Sequence, residues 1–231
     1  MQRVWVYRWH TERSFGKGVE KNYEKIIKAV VATIFCRIRT NAEKHFRLEE
    51  KRFLDNSPQI VKQKIFLKYG IKDAVWIETG TCFGTTTKYL SDLFPHVYSI
   101  EPEPKLYASA CKRFEGKNVT LFNDVSEHIF PSLLPKLSGN VNFWLDGHYS
   151  AGITFKGEKE CPVEDELMAI EKNFVNFDRL TILIDDVRCF LPNNASYTDY
   201  PSIDYLVDWA RRMNLHWRIE HDIFIMQKNK L

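Results

Sequence analysis

From Ala74 onward, short apolar runs alternate with helical stretches, and this alternation constrains the fold more than any other feature of the chain. It is the pattern of βαβ units arranged around a largely parallel sheet. Five strands are predicted at Ala74–Thr79, His96–Glu101, Val119–Asn123, Val141–Asp146 and Leu180–Asp185. Helices are predicted between them near Thr85–Leu93, Pro104–Phe114, Val125–Leu134 and Val163–Asn176. The chain then offers a helix at Ser202–Met213 and two strand-like runs, Trp217–Glu220 and Ile223–Gln227. His221-Asp222 between those runs suits a tight hairpin turn. The expected fold is therefore α/β: a Rossmann-like, doubly wound, seven-stranded sheet, mostly parallel, closed by an antiparallel C-terminal hairpin.

Ahead of the sheet, residues from about Val19 to Leu67 read as helices, with apolar positions recurring every three or four residues and a break at Asp55-Asn56-Ser57-Pro58. Ser57 is the expected N-cap of the helix that follows, Pro58 its first residue and Tyr69-Gly70 its end. The expected organisation is an N-terminal helical extension over 1–72 and a ligand-binding domain over 73–231. A chain of 231 residues accommodates one such domain and an appendage.

Composition narrows the partners. With 44% hydrophobic and 27% charged residues the chain is of ordinary globular make-up. A formal net charge of +3 does not by itself imply nucleic acid, and no nucleic-acid partner is expected. The five cysteines, Cys36, Cys82, Cys111, Cys161 and Cys189, are scattered without a C-x-x-C pair, which fits a reducing cytoplasm. The N-terminus has no secretory signal pattern. The apolar stretch Ile26 to Cys36 is interrupted by Lys28 and falls short of the roughly 20 residues needed to span a bilayer. Its basic flanks, Lys21, Lys25, Arg37 and Arg39, leave peripheral membrane contact open. Packing on the core, or against a second subunit in a homo-oligomer, is the preferred reading.

Open α/β sheets bind ligands beyond the carboxyl ends of their strands, so polar residues at those ends carry the functional information. Strand one runs into Glu78-Thr79-Gly80-Thr81-Cys82-Phe83-Gly84. Gly80 and Gly84 allow a sharp turn and a close approach of backbone to ligand, and Thr85 to Thr87 open the next helix. The spacing Glu-x-Gly-x-x-x-Gly differs from the dinucleotide fingerprint, which disfavours NAD. Strand two ends in Glu101, placed to accept hydrogen bonds from both hydroxyls of a ribose. Strand three ends in Asn123-Asp124, with Glu127 one turn further on, where an adenine edge would lie.

At these residues the sequence resembles the class I S-adenosylmethionine-dependent methyltransferases, over roughly Ala74 to Gln227. The resemblance implies S-adenosylmethionine as cofactor. Glu78 and Gly80, with Thr81, Gly84 and Thr85 of the same turn, would face its methionine portion. Glu101 would take the ribose, Asp124 and the Val125 backbone the adenine, and Asp146 would also border the cofactor.

Methyl transfer to a hydroxyl needs an aligned acceptor and a base. Strand four ends Asp146-Gly147-His148 and strand five Asp185-Asp186, so adjacent strands would gather three carboxylates. Such a cluster must be protonated, paired with a base, or bound to a hard cation such as Mg2+. Metal is the simplest of the three solutions. The pattern looks like the metal-dependent, macrocin-type sugar O-methyltransferases, whose ligands Asp146, Asp185 and Asp186 match. The family's general base is His148 here, and histidine can serve as one near neutral pH. His148 and Asp146 are thus the candidate catalytic residues. The implied activity is O-methylation of a saccharide or other polar small molecule, with metal assistance. A metal-independent enzyme using His148 and a non-catalytic adenosyl-binding module are the alternatives. The stretch Ser150–Cys161 could form a lid carrying Lys156 and Lys159, and Glu164, Asp165 and Glu166 are expected simply to complement a helix dipole. Residues from Arg188 to Pro201, including Asn193, Asn194, Tyr197, Asp199 and Tyr200, form a second irregular stretch whose polar and aromatic mixture suits a sugar or other polyhydroxylated acceptor and equally any exposed loop.

Overall fold

A computed structural model describes residues 56–147, 160–192 and 199–228. Seven strands form one sheet: β1 (Val75–Thr79), β2 (Val97–Ile100), β3 (Val119–Phe122), β4 (Gly139–Leu145), β5 (Phe177–Ile184), β6 (His216–Glu220) and β7 (Ile223–Lys228). Their spatial order is β3-β2-β1-β4-β5-β7-β6. The pairs β1–β2, β2–β3, β1–β4 and β4–β5 are parallel, whereas β7 runs antiparallel to both β5 and β6. This is the mostly parallel sheet with a terminal hairpin expected from the sequence. His221, in the left-handed region at φ 57°, and Asp222 make the two-residue turn.

Helices flank the sheet: α1 (Gln59–Tyr69), α2 (Thr85–Leu93), α3 (Pro104–Arg113), α4 (Ser126–Leu133), α5 (Val163–Lys172) and α6 (Ile203–Arg212). Two apolar clusters form its two sides. One joins Leu167 and Ile170 of α5 and Leu206 and Trp209 of α6 to Phe143, Ile182, Phe224 and Met226 of the sheet. The other joins Ile65, Phe66 and Tyr69 of α1 and Leu90 of α2 to Trp76, Trp144, Leu183 and Ile225. Alternate residues of β4, β5 and β7 therefore enter opposite cores, as a two-residue side-chain period requires.

Helix α1, which lies within the expected N-terminal extension, packs directly on the sheet. Phe66 is fully buried and meets Trp76 and Trp144 edge-on, with ring centroids 5.4 and 4.8 Å away. The helix starts one residue later than expected, with Pro58 as its N-cap and no side-chain capping bond. Ser57 is not the cap. Its hydroxyl instead accepts the Asp222 amide at 3.2 Å, so the residue that sequence would spend on the helix end ties α1 to the β6–β7 turn. The Pro58 carbonyl still accepts the Val61 and Lys62 amides, which keeps the first turn intact. Among the described residues no helix is long and apolar enough to cross a membrane.

Truncating Phe66 opens a cavity between α1 and two tryptophans. Phe66→Ala should destabilise the protein by about 3–5 kcal/mol in chemical denaturation. A loss below about 1 kcal/mol would mean that α1 is not part of this core.

Candidate functional site

The chain runs outward from β1 to β2 and β3, then returns to the other side of β1 with β4. The strand order thus reverses between β1 and β4, and the carboxyl ends of these two strands border the natural ligand crevice. Register decides which residues meet there. Thr79 pairs with Leu145, and Leu145 with Ile184, so the next residues out, Gly80, Asp146 and Asp185, emerge side by side.

Gly80 has φ 83°, a conformation that favours glycine, and a Cβ there would run into the Asp146 carbonyl. The two strand ends therefore close up backbone against backbone. The Gly80 and Thr81 amides bond the Ile100 carbonyl at 3.0 and 3.2 Å, pinning the turn to β2. Gly84 adopts φ 68° as the residue before α2, where a Cβ would press on Phe114 at 2.7 Å. Thr85 follows as the exposed first residue of α2.

Beneath this turn runs a chain of buried hydroxyls. Ser99 and Thr87 both donate to Glu78 Oε2 at 2.6 Å, and Thr81 Oγ1 lies 2.6 Å from Ser99 Oγ. Because the Ser99 proton goes to Glu78, Thr81 is the donor in the last of these bonds. The side chains of Glu78 and Thr81 thus fasten the turn from within. Glu78 Oε1 is buried and has no partner among the described residues, so any contact of Glu78 with a ligand would run through that atom.

Glu101 is the acid most directly prepared for a ligand. Only 3% exposed, it accepts the Cys82 amide on Oε2 at 2.6 Å and the Glu103 amide on Oε1 at 3.0 Å. Burial raises its carboxyl above the ordinary range, and the two amides oppose that rise. Both oxygens are held in fixed orientation and each retains acceptor capacity, which suits a pair of neighbouring hydroxyls. Asn123 donates to the Glu101 carbonyl at 2.8 Å and joins the ends of β2 and β3. Asp124 is exposed. Its Oδ1 accepts the Val125 amide at 2.8 Å and pairs with His128 at 2.9 Å, so the two candidate adenine contacts here satisfy each other.

The three strand-end aspartates converge as the sequence implies: one carboxylate oxygen from each of Asp146, Asp185 and Asp186 lies within 4.8 Å of the others. What the sequence reading missed is the cation already among them. Lys62 of α1 donates to Asp185 Oδ2, and its ammonium lies 3.7 Å from Asp146 Oδ2 and 5.4 Å from the centre of the Trp144 ring. Burial alone would lower the Lys62 pKa, but the Asp146 and Asp185 charges raise it above its ordinary value. Burial, followed by Asp146, pushes the Asp185 carboxyl upward, and Lys62 opposes them. Asp186, at φ 55°, accepts from Arg188 at 2.6 Å. Arg188 also pairs with the fully buried Asp222, whose Oδ1 accepts the Arg188 amide at 2.9 Å. The donor set suits a hard cation, but Lys62 already pairs with Asp185 and Asp146 and Arg188 with Asp186, and with these pairs in place the residues do not fit a divalent metal.

The signal for Lys62 was present in the sequence. The buried face of α1 is Val61, Ile65, Phe66 and Tyr69, and Lys62 falls on that face, three and four residues before Ile65 and Phe66. Glu166 carries the same signal, on the stripe Val163, Leu167, Ile170 of α5. Expected only to complement the helix dipole with Glu164 and Asp165, Glu166 is in fact 1% exposed. Its carboxylate lies 3.6 Å from where a Cβ of Gly147 would be. The expected base His148, the lid lysines Lys156 and Lys159, and Asn193, Asn194 and Tyr197 lie outside the described residues.

No protein-family model matches this sequence, and no curated protein matches it. Several solved structures show a general likeness. An rRNA methylase from Streptococcus thermophilus is 16% identical, covers 75% of this chain and 97% of its own, and has a TM-score of 0.45. A precorrin-6y C5,15-methyltransferase from Geobacter metallireducens is 15% identical, with coverages of 76% and 90% and a TM-score of 0.46. Fibrillarin from Aeropyrum pernix, in complex with natively bound S-adenosyl-L-methionine, is 11% identical, with coverages of 72% and 73% and a TM-score of 0.45. At this level the likeness is one of architecture.

Burial pushes the Glu78 carboxyl up to about 8, although the Ser99 and Thr87 hydroxyls lower it. An unfolded glutamate ionises near its ordinary value of about 4.3. Between these two values the folded state binds more protons, so this group's contribution to stability falls as pH rises. Glu78→Gln should flatten that fall, raising the melting temperature at pH 8 more than at pH 5. The predicted differential is on the order of a few kcal/mol, read from thermal unfolding across that range. Parallel wild-type and variant curves would show that Glu78 ionises normally.

Proposed function

We propose that the protein is an S-adenosylmethionine-dependent O-methyltransferase acting on a saccharide or another polar, hydroxyl-bearing small molecule. The observation that carries this reading is the pairing of Glu101 with the Gly80 turn at the point where the strand order reverses. A buried carboxylate with both oxygens oriented stands beside a backbone turn from which side chains are excluded. That combination suits the ribose and the methionine portion of an adenosyl ligand. Gly80 and Gly84 hold the turn in positive-φ conformations that favour glycine, close against Asp146 and Phe114, and Glu78 Oε1 is buried without a partner among the described residues.

Bound S-adenosylmethionine supplies an electrophilic methyl group on a sulfonium sulfur. The protein's part is to align a hydroxyl oxygen behind that methyl carbon and to take the hydroxyl proton. Asp146 lies at the strand junction, with its side chain 27% exposed and its amide held by Thr79 Oγ1 at 3.2 Å; its carbonyl abuts the Gly80 turn and its carboxylate faces Lys62. In this reading Asp146 orients the acceptor, and His148, two residues on, receives the proton. As the O–CH3 bond forms, the carbon–sulfur bond breaks and S-adenosylhomocysteine departs. The metal-independent form of the reaction is favoured by one observation, the Lys62 ammonium between Asp146 and Asp185. The polyhydroxylated acceptor is supported by the resemblance to sugar O-methyltransferases and by the polar, aromatic stretch that includes Asp199 and Tyr200.

Calorimetry with S-adenosylmethionine and, separately, NAD tests this reading. The sulfonium should bind with micromolar affinity and NAD should not. Glu101→Ala should weaken cofactor binding at least tenfold, because hydrogen bonds to a charged group contribute about 1.5–3 kcal/mol each. Tight NAD binding without binding of the sulfonium would overturn the assignment.

A further inference from the structure

Three buried or half-buried carboxylates on rigid strand ends form a site that a hard cation would ordinarily enter. Here each faces a cation supplied by the chain itself. Lys62 bonds Asp185 and approaches Asp146 to 3.7 Å, while Arg188 bonds Asp186 at 2.6 Å. Asp185 is fully buried, and its second oxygen, Oδ1, has no partner among the described residues, so the cluster retains a sealed acceptor that a stronger cation could use. The lysine is held in place rather than merely near. Its helix is anchored by Phe66 against Trp76 and Trp144, and its ammonium lies over the Trp144 ring. Its side chain is 12% exposed.

We propose that Lys62 is the resident cation of this cluster: it holds the place of a divalent ion, keeps the folded protein free of one, and makes a latent metal site of Asp146, Asp185 and Asp186. A divalent ion and the ammonium cannot share the space between Asp146 and Asp185, because the two positive charges would repel within a few ångströms in a largely dehydrated pocket. The lysine has no low-cost way out, since its helix is fixed in the core and leaving would strand the Asp185 carboxylate. Lys62 is thus a positioning residue, keeping the Asp146 carboxylate aimed at the crevice while contributing no ligand contact of its own. The inference deepens the methyltransferase reading by specifying a hydroxyl acceptor oriented without metal.

The test uses Mn2+ as probe, with free ion followed by electron paramagnetic resonance in the purified full chain. The wild type should leave Mn2+ unbound up to the low millimolar range. Lys62→Met, which keeps the apolar stem, should bind it at least a hundredfold more tightly, and Lys62→Met/Asp185→Asn should lose that gain. Lys62→Gln serves as a second variant, and circular dichroism confirms which of the two is folded. Micromolar Mn2+ binding by the wild type would overturn the proposal, as would a folded Lys62 variant that binds no better than wild type. S-adenosylmethionine binding is measured on the same samples. Its absence from the wild type counts against the methyltransferase reading alone, and a failed Mn2+ comparison with the cofactor bound counts against this inference alone.

Discussion

The ion pair between Lys62 and Asp185 joins helix α1 to the carboxyl end of β5 inside the protein. Neither partner is well hydrated, so either one left alone would be an uncompensated buried charge, a situation that costs several kcal/mol. Three other features place the pair. The β4–β5 register sets Asp185 beside Asp146, Phe66 seats α1 on the two tryptophans, and the β6–β7 turn connects the two ends. Asp222 of that turn accepts from Arg188 on one side and donates its amide to Ser57 on the other. A two-residue hairpin turn thereby fixes both the start of the lysine's helix and the exit of the strand bearing the acids.

The crevice has two halves of different character that meet at Asp146. On the side proposed for the cofactor lie backbone and one oriented carboxylate: the Gly80 turn, its bonds to β2, and Glu101 on two amides. On the side proposed for the acceptor, charge dominates, with aspartates met by Lys62 and Arg188. The Asp146 carbonyl abuts Gly80, and its carboxylate faces Lys62. In the proposed reaction, alignment of a methyl donor with an acceptor would therefore depend on the geometry of a single residue shared by both halves.

The fold was largely legible in the sequence because the strands are short apolar runs separated by helices of ordinary length. Helix Thr85–Leu93 appears with the expected bounds, and the His221-Asp222 turn lies where expected. The convergence of Asp146, Asp185 and Asp186 was legible for the same reason, since it follows from strand ends in adjacent positions. Interactions between elements distant in the chain were not legible. Lys62 reaches Asp185 across 123 residues, and Ser57 turns from its helix to Asp222 across 165. Periodicity marked Lys62 and Glu166 as charges on apolar stripes but could not say what they face. The acid cluster's charge could be balanced by metal, proton or base, and sequence order carries no preference among them.

In the proposed site an adenosyl ligand and a lysine-held acid cluster meet at Asp146. A crystal structure grown with S-adenosylhomocysteine and excess Mn2+ measures this most directly. The ribose hydroxyls should lie on Glu101, the homocysteine portion along the Gly80 turn, and the Lys62 ammonium between Asp146 and Asp185 with no anomalous manganese signal there. A manganese peak bound by Asp146, Asp185 and Asp186 with Lys62 displaced, or a ligand bound away from Glu101, would contradict it.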